Sequence, residues 1–170
     1  MTPFARALAL AAATLLPTAA RAEARQLQLS LRAGFATSSG TLAAPSPALE
    51  VGGWYGLNDA FSLYANTGYA LGFLDAGPRH GAHAAFGAVY AFDLIRLVPY
   101  VGLGARFDLV HGDGNLVLAP SAEVRGGAYY LLRRGLALDL QASYAFPFVG
   151  RDLSGDLVSV TFGVRLLNEP

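Results

Sequence analysis

Three histidines, His80, His83 and His111, are the first residues to question for metal or acid–base chemistry. The spacing of three between the first two puts them on opposite faces of a strand, so they make no chelating pair there. All three fall in or beside stretches rich in Gly, Pro and Asp, and a solvated loop role is the expectation. Asp108, Asp113 and Asn115 around Gly112 and Gly114 have calcium-binding side chains. They lack the D-x-[DN]-x-[DN]-G run and its closing glutamate, so a polar turn is expected instead. The sequence has no G-x-S-x-G elbow and no H-E-x-x-H zinc motif. It also has no cysteine, which excludes disulfides, thiolate ligands, a cysteine nucleophile and a cysteine-borne lipid anchor. Neither cofactor, metal nor catalytic activity is therefore expected. What remains is a set of charges inside otherwise apolar segments: Arg32, Glu50, Arg106, Glu123, Arg125, Asp139 and Arg165. Their chemistry is mutual pairing, provided the fold brings them together.

The chain has 170 residues, suited to one domain. Apolar residues make up 54% and charged ones only 14%, where a soluble domain carries about a quarter. Formal net charge is zero, so nothing advertises nucleic acid as a partner. Residues 1–22 read as an export signal: Arg6, an uncharged run from Ala7 to Leu16, Pro17, then Ala20-Arg21-Ala22 with small residues for a signal peptidase. Ten apolar residues are half of the roughly 20 a helical span needs, so cleavage is expected, with residues 23–170 forming the mature domain.

That domain shows alternation with period two. Leu27, Leu29, Leu31, Ala33 and Phe35 interleave with Gln28, Ser30, Arg32 and Gly34. Leu136 to Phe146 and Val158 to Leu166 repeat the pattern. The reading gives eight strands, near 26–36, 48–57, 60–71, 81–92, 97–108, 119–132, 136–146 and 157–167. Connections alternate short (Asn58-Asp59, Asp93 to Arg96, Arg133-Arg134-Gly135) and long (Thr37–Pro47, Gly72–His80, Leu109–Leu118, Pro147–Asp156). An even strand number with short turns at one end and long loops at the other predicts an all-β, antiparallel, up-and-down transmembrane barrel.

The seven charges lie on the face opposite the Leu, Val and Phe residues, with Gly34, Gly52, Asn66, Gly68, Gly87, Gly102, Gly104 and Ser143. Turned toward lipid, each arginine would cost about 2–4 kcal/mol near the bilayer midplane. Several such terms rival a domain's whole stability of about 5–15 kcal/mol, so the polar face is assigned to the lumen. Two aromatic belts are expected at the strand ends: Trp54, Tyr55, Phe61, Tyr90, Phe92 and Tyr130 near the short turns, and Phe35, Tyr69, Phe73, Phe107, Tyr144 and Phe146 near the long loops.

With stretches such as Pro99-Tyr100-Val101-Gly102-Leu103-Gly104 and Val160-Thr161-Phe162-Gly163-Val164-Arg165, residues 26–167 resemble the small outer-membrane β-barrel family. That family includes the OmpA-type transmembrane domain and the OmpX- and OmpW-like proteins. The resemblance implies two partners, the outer-membrane bilayer and the machinery that assembles barrels into it. It leaves any ligand of the long loops unnamed. It implies a structural or surface-interaction role with a lumen largely filled by side chains. A narrow conduit for small or hydrophobic solutes is the alternative, and a lipid-modifying enzyme a third reading. Family members commonly end on an aromatic residue, whereas this chain ends Leu166-Leu167-Asn168-Glu169-Pro170. Phe162 is expected to stand in as the assembly signal.

Overall fold

The computed structural model describes residues 26–39, 45–74, 77–92, 96–112, 115–149 and 155–168. The expected export signal lies outside them. Eight strands follow in chain order: β1 (Leu27–Ser38), β2 (Ser46–Gly56), β3 (Phe61–Leu74), β4 (Gly77–Ala91), β5 (Leu97–Gly112), β6 (Asn115–Arg133), β7 (Leu136–Pro147) and β8 (Leu157–Leu167). Each pairs antiparallel with its neighbours, and β1 pairs with β8 from Gln28↔Leu167 to Ser38↔Leu157, closing the barrel. Closure matters because an open edge would leave unpaired N–H and C=O groups in hydrocarbon, each costing several kcal/mol. The chain folds as the eight-stranded antiparallel barrel that its alternation predicts.

Burial runs opposite to a soluble protein's. Outward residues such as Leu31, Val51, Leu63, Phe86, Val101, Leu140 and Phe162 are exposed, while Arg32, Arg125, Asp139 and Arg165 are buried. An apolar surface this continuous suits lipid and would be adhesive in water. The tight turns follow from local chemistry. Asn58 Oδ1 accepts from the amides of Ala60 at 3.0 Å and Phe61 at 2.8 Å, closing the β2–β3 turn. Gly135 takes the left-handed conformation (φ 76°) that the β6–β7 turn requires.

Two expectations are corrected. Segments Gly72–His80 and Leu109–Leu118 were assigned to long loops, but both are mostly strand. The β3–β4 ladder runs on to Leu74↔Gly77 and the β5–β6 ladder to Gly112↔Asn115. Gly, His and Asp lower strand propensity, yet continued cross-strand pairing overrides it. The wall formed by β3 to β6 thus continues five residues past Tyr69 and Phe107, roughly 15 Å along the strand. This places His80 and His111 on strands, next to His83 and Asp108, which already lay within expected ones; Asp113 lies outside the described residues.

The second correction is Trp54. Adjacent strand residues face opposite ways, so Trp54 and Tyr55 cannot both sit in a lipid-facing belt. Tyr55 is exposed and Trp54 is buried in the lumen. Phe35, Phe61, Tyr69, Phe107, Tyr130, Tyr144 and Phe146 do face outward. Trp54 is the chain's single tryptophan, so fluorescence reads this directly. Its emission should be quenched weakly by brominated acyl chains, and a Trp54→Phe/Tyr55→Trp variant, which moves the reporter outside, should be quenched more strongly. Equal quenching would put Trp54 in the belt after all.

Candidate functional site

The lumen concentrates this protein's polar chemistry, and strand register decides who meets whom. One row of directly paired residues runs Asp139, Gly163, Arg32, Glu50, Gly68, His83 and Asp108 across six neighbouring strand pairs. Acids and bases alternate along it, with glycine under each long reach. Arg32 Nη1 donates to Asp139 Oδ2 at 2.8 Å, passing over Gly163. His83 Nε2 lies 3.2 Å from Glu50 Oε2, passing over Gly68. A Cβ on Gly68 would stand 2.3 Å from the His83 ring, and one on Gly163 would stand 1.9 Å from the Leu31 carbonyl oxygen. A second row, Tyr64, Gly87, Gly104 and Glu123, works alike: the Tyr64 hydroxyl reaches Glu123 Oε1 at 3.3 Å across two glycines.

All seven charges named from the sequence are buried in the lumen, none more than 3% exposed. They form two clusters. In the first, Asp139 accepts from Arg32, from Arg165 Nη2 at 2.7 Å and from the Tyr100 hydroxyl at 3.0 Å. Arg32 also donates through Nε to Glu50 at 3.0 Å, and Arg165 Nη1 reaches Gln28 at 2.9 Å. In the second, Glu123 accepts from Arg125 Nε at 2.7 Å and from Arg106 Nη1 at 3.4 Å. Arg125 Nη2 donates to Asn66 at 3.2 Å. Gln141 joins the clusters, accepting from Arg125 Nη1 at 3.4 Å and donating to Glu50 at 3.4 Å. Four of these contacts link strands that are not neighbours, so the side chains span the lumen rather than line it.

Arg106 and Glu123 approach each other, but diagonally. Arg106 stands opposite Ser121 and Glu123 opposite Gly104, because the β5–β6 hairpin turns at Gly112↔Asn115. The nearer partner of Arg106 is Asp108, whose carboxylate takes Nε and Nη2 at 2.7–2.9 Å. Asp108, expected from the sequence in a polar turn, is instead a β5 carboxylate paired with Arg106. It brings the lumen to four arginines and four carboxylates among the described residues, so no arginine there depends on an unpaired charge. His83 was likewise expected in a solvated loop role. Both lie inside the expected strands 81–92 and 97–108, and carrying the period-two alternation to the ends of those strands would have found them.

Aromatic side chains fill the lumen toward the short-turn end. The Arg165 guanidinium lies 3.6 Å from the Trp54 ring centre and 4.7 Å from that of Tyr129. Trp54 meets Tyr100 edge-on at 4.7 Å, and Arg125 caps Tyr64 at 3.7 Å. Tyr64, Tyr100 and Tyr129 are inward aromatics that the sequence reading did not assign. Toward the long-loop end the lumen opens into a vestibule of about 60 Å³. Its walls are small (Ala36, Ala48, Ala70, Gly72, Gly81, Ser159), and Glu50, His83, Arg106 and Asp108 line its depth. Ser38 Oγ and Thr161 Oγ1, which also line it, bond to no other described group. Among the described residues, Arg32, Arg106, Arg125 and Arg165 each already hold at least one carboxylate.

Solved structures share this architecture. The N-terminal β-barrel domain of Pseudomonas aeruginosa OprF matches with a TM-score of 0.66 at 14% identity, covering 85% of this chain and 98% of that one. Neisserial surface protein A matches at 0.65 and 17% identity, covering 83% and 95%. The outer membrane protein OprG of Pseudomonas aeruginosa matches at 0.61 and 11%, covering 86% and 97%. No protein-family model and no curated protein matches the sequence. Likeness at such identities establishes the fold: a small eight-stranded barrel of the outer-membrane type.

Two substitutions probe the network. Asp139→Ala removes the shared partner of Arg32 and Arg165 and should cost about 3–5 kcal/mol, the usual penalty for stranding a buried charge. Gly163→Val, which drives a side chain into the β1 backbone, should also destabilise, by about 1–3 kcal/mol or more. Urea unfolding followed by Trp54 emission measures both; unchanged midpoints would show that the network does not hold the barrel.

Proposed function

We propose that this protein is an integral outer-membrane barrel that is closed to solutes and acts from its outer surface, without catalysis. One observation carries the reading: the charged network crosses the lumen. Arg32 reaches from β1 to Asp139 on β7, Gln141 from β7 to Glu50 on β2, and Tyr64 from β3 to Glu123 on β6. Below these contacts, Trp54, Tyr100 and Tyr129 fill the section that a solute would have to traverse. Eight strands enclose an interior just wide enough for side chains to fill, unlike the channel of a sixteen-stranded porin.

Acting outward follows from the uneven wall. The β3–β4 and β5–β6 hairpins extend past the outer aromatic positions, offering paired backbone and side chains to whatever lies outside. The lipid-facing band and the outer-membrane fold support embedding in that bilayer, assembled there by the barrel-insertion machinery. The vestibule favours a second reading, in which a small polar molecule enters from outside. Arg106 and Asp108 would stop it, so this would be binding and not passage.

Planar-bilayer recording of the refolded protein tests closure. Wild type should show no steady unitary conductance, whereas the charge-neutral Glu123→Ala/Arg125→Ala variant, once folded, should show openings. Discrete wild-type channels would replace this reading with the conduit. An acyl-ester hydrolysis assay on the same sample should show no turnover.

A further inference from the structure

Away from the lumen, the barrel's outer face carries one pair of imidazoles. His80 on β4 and His111 on β5 are directly opposed in the antiparallel register. Both are exposed. Their ring centres lie 6.5 Å apart with the planes tilted by 39°. On the neighbouring strand, the Tyr69 hydroxyl is hydrogen-bonded to His80 Nδ1. His83, the third and last histidine of the chain, is turned into the lumen against Glu50.

We propose that His80 and His111 form a two-imidazole clamp for a divalent transition-metal ion of the zinc, copper or nickel class, with Tyr69 as its positioning residue. Directly opposed strand residues hold their Cβ atoms about 4.5–5.5 Å apart, which aims two side chains at one point. Metal–nitrogen bonds of about 2.0–2.1 Å put the centres of two imidazoles on one ion roughly 5–6.5 Å apart. The observed separation is at the upper end of that range, so a small ring rotation completes the clamp. Tyr69 supplies the outer contact that ligating histidines ordinarily have. When Nδ1–H donates to the phenol oxygen, the tautomer is set and the lone pair resides on Nε2, available to the metal. Imidazole suits zinc, copper and nickel, whereas calcium and magnesium take oxygen ligands. The row His80–His111 lies one outward-facing step beyond the row of Tyr69, Ala82 and Leu109. Water and lipid phosphate oxygens at that level would fill the remaining coordination positions. The site does not depend on whether the lumen conducts.

Isothermal titration of zinc chloride into untagged, refolded protein in neutral detergent tests the clamp, with urea unfolding in parallel. One saturable zinc site is expected in wild type, with no comparable response to calcium. Zinc at 100 times its Kd should lower the unfolding equilibrium constant about 100-fold. His80→Asn and His111→Asn should each abolish the zinc site and this shift, while heat-modifiable migration shows that both variants remain folded. Tyr69→Phe should bind zinc more weakly without losing it; unchanged affinity there would overturn the positioning role. Absent saturable binding in wild type, or wild-type affinity in either asparagine variant, would overturn the clamp.

Discussion

Charges enclosed in a space too narrow to hydrate them must find one another, and this requirement organises the barrel. Removing an ion from water costs several kcal/mol, recovered only when geometry and extra hydrogen bonds are good. Here the condition is met by register. Asp139, Arg32, Glu50, His83 and Asp108 fall along one row of paired residues, so acid and base alternate around the wall. Glycines at Gly163 and Gly68 leave the floor of that row open, letting long side chains lie flat across an intervening strand. A β-branched residue there would lift the side chain off its partner as well as press on the next strand's backbone.

The same geometry explains why aromatics share the lumen with arginine. A guanidinium bonded in its plane by a carboxylate still presents two flat faces. Trp54 and Tyr129 cover Arg165, and Tyr64 covers Arg125. Ring quadrupoles attract a cation more strongly where water is excluded. Packing and electrostatics thereby draw on the same side chains in one section of the lumen, and the small residues nearer the long loops leave a vestibule above it. The filled section below and the vestibule above follow from where the large side chains end.

Asymmetry among the hairpins separates the outer surface from the inner one. Short turns at one end need only a local device, such as the Asn58 side chain capping two amides. At the other end, β3 to β6 continue pairing beyond the outer aromatic residues Tyr69 and Phe107, so backbone hydrogen bonds hold that wall together. A ladder that rigid presents residues at defined spacing, which is why exposed side chains there can act in pairs.

Alternation alone determined which face each residue takes, because a strand's side chains point to opposite sides with period two. Strand number, the apolar exterior and the inward placement of Arg32, Glu50, Arg106, Glu123, Arg125, Asp139 and Arg165 were all legible that way. Trp54 was misplaced only where aromatic clustering was weighed above this alternation. Partnership was not legible. Arg32 and Asp139 are 107 positions apart, and they meet because β7, β8 and β1 close with a particular stagger. Asp108 and His83 joined the network because the β4–β5 register sets them opposite each other at the ends of the expected strands. His80 and His111 are separated by 31 positions and share no motif, yet the β4–β5 register sets them side by side. Side-chain direction is a local property of the backbone, whereas register is the joint outcome of every turn length and the closing stagger, so only the closed barrel could decide it.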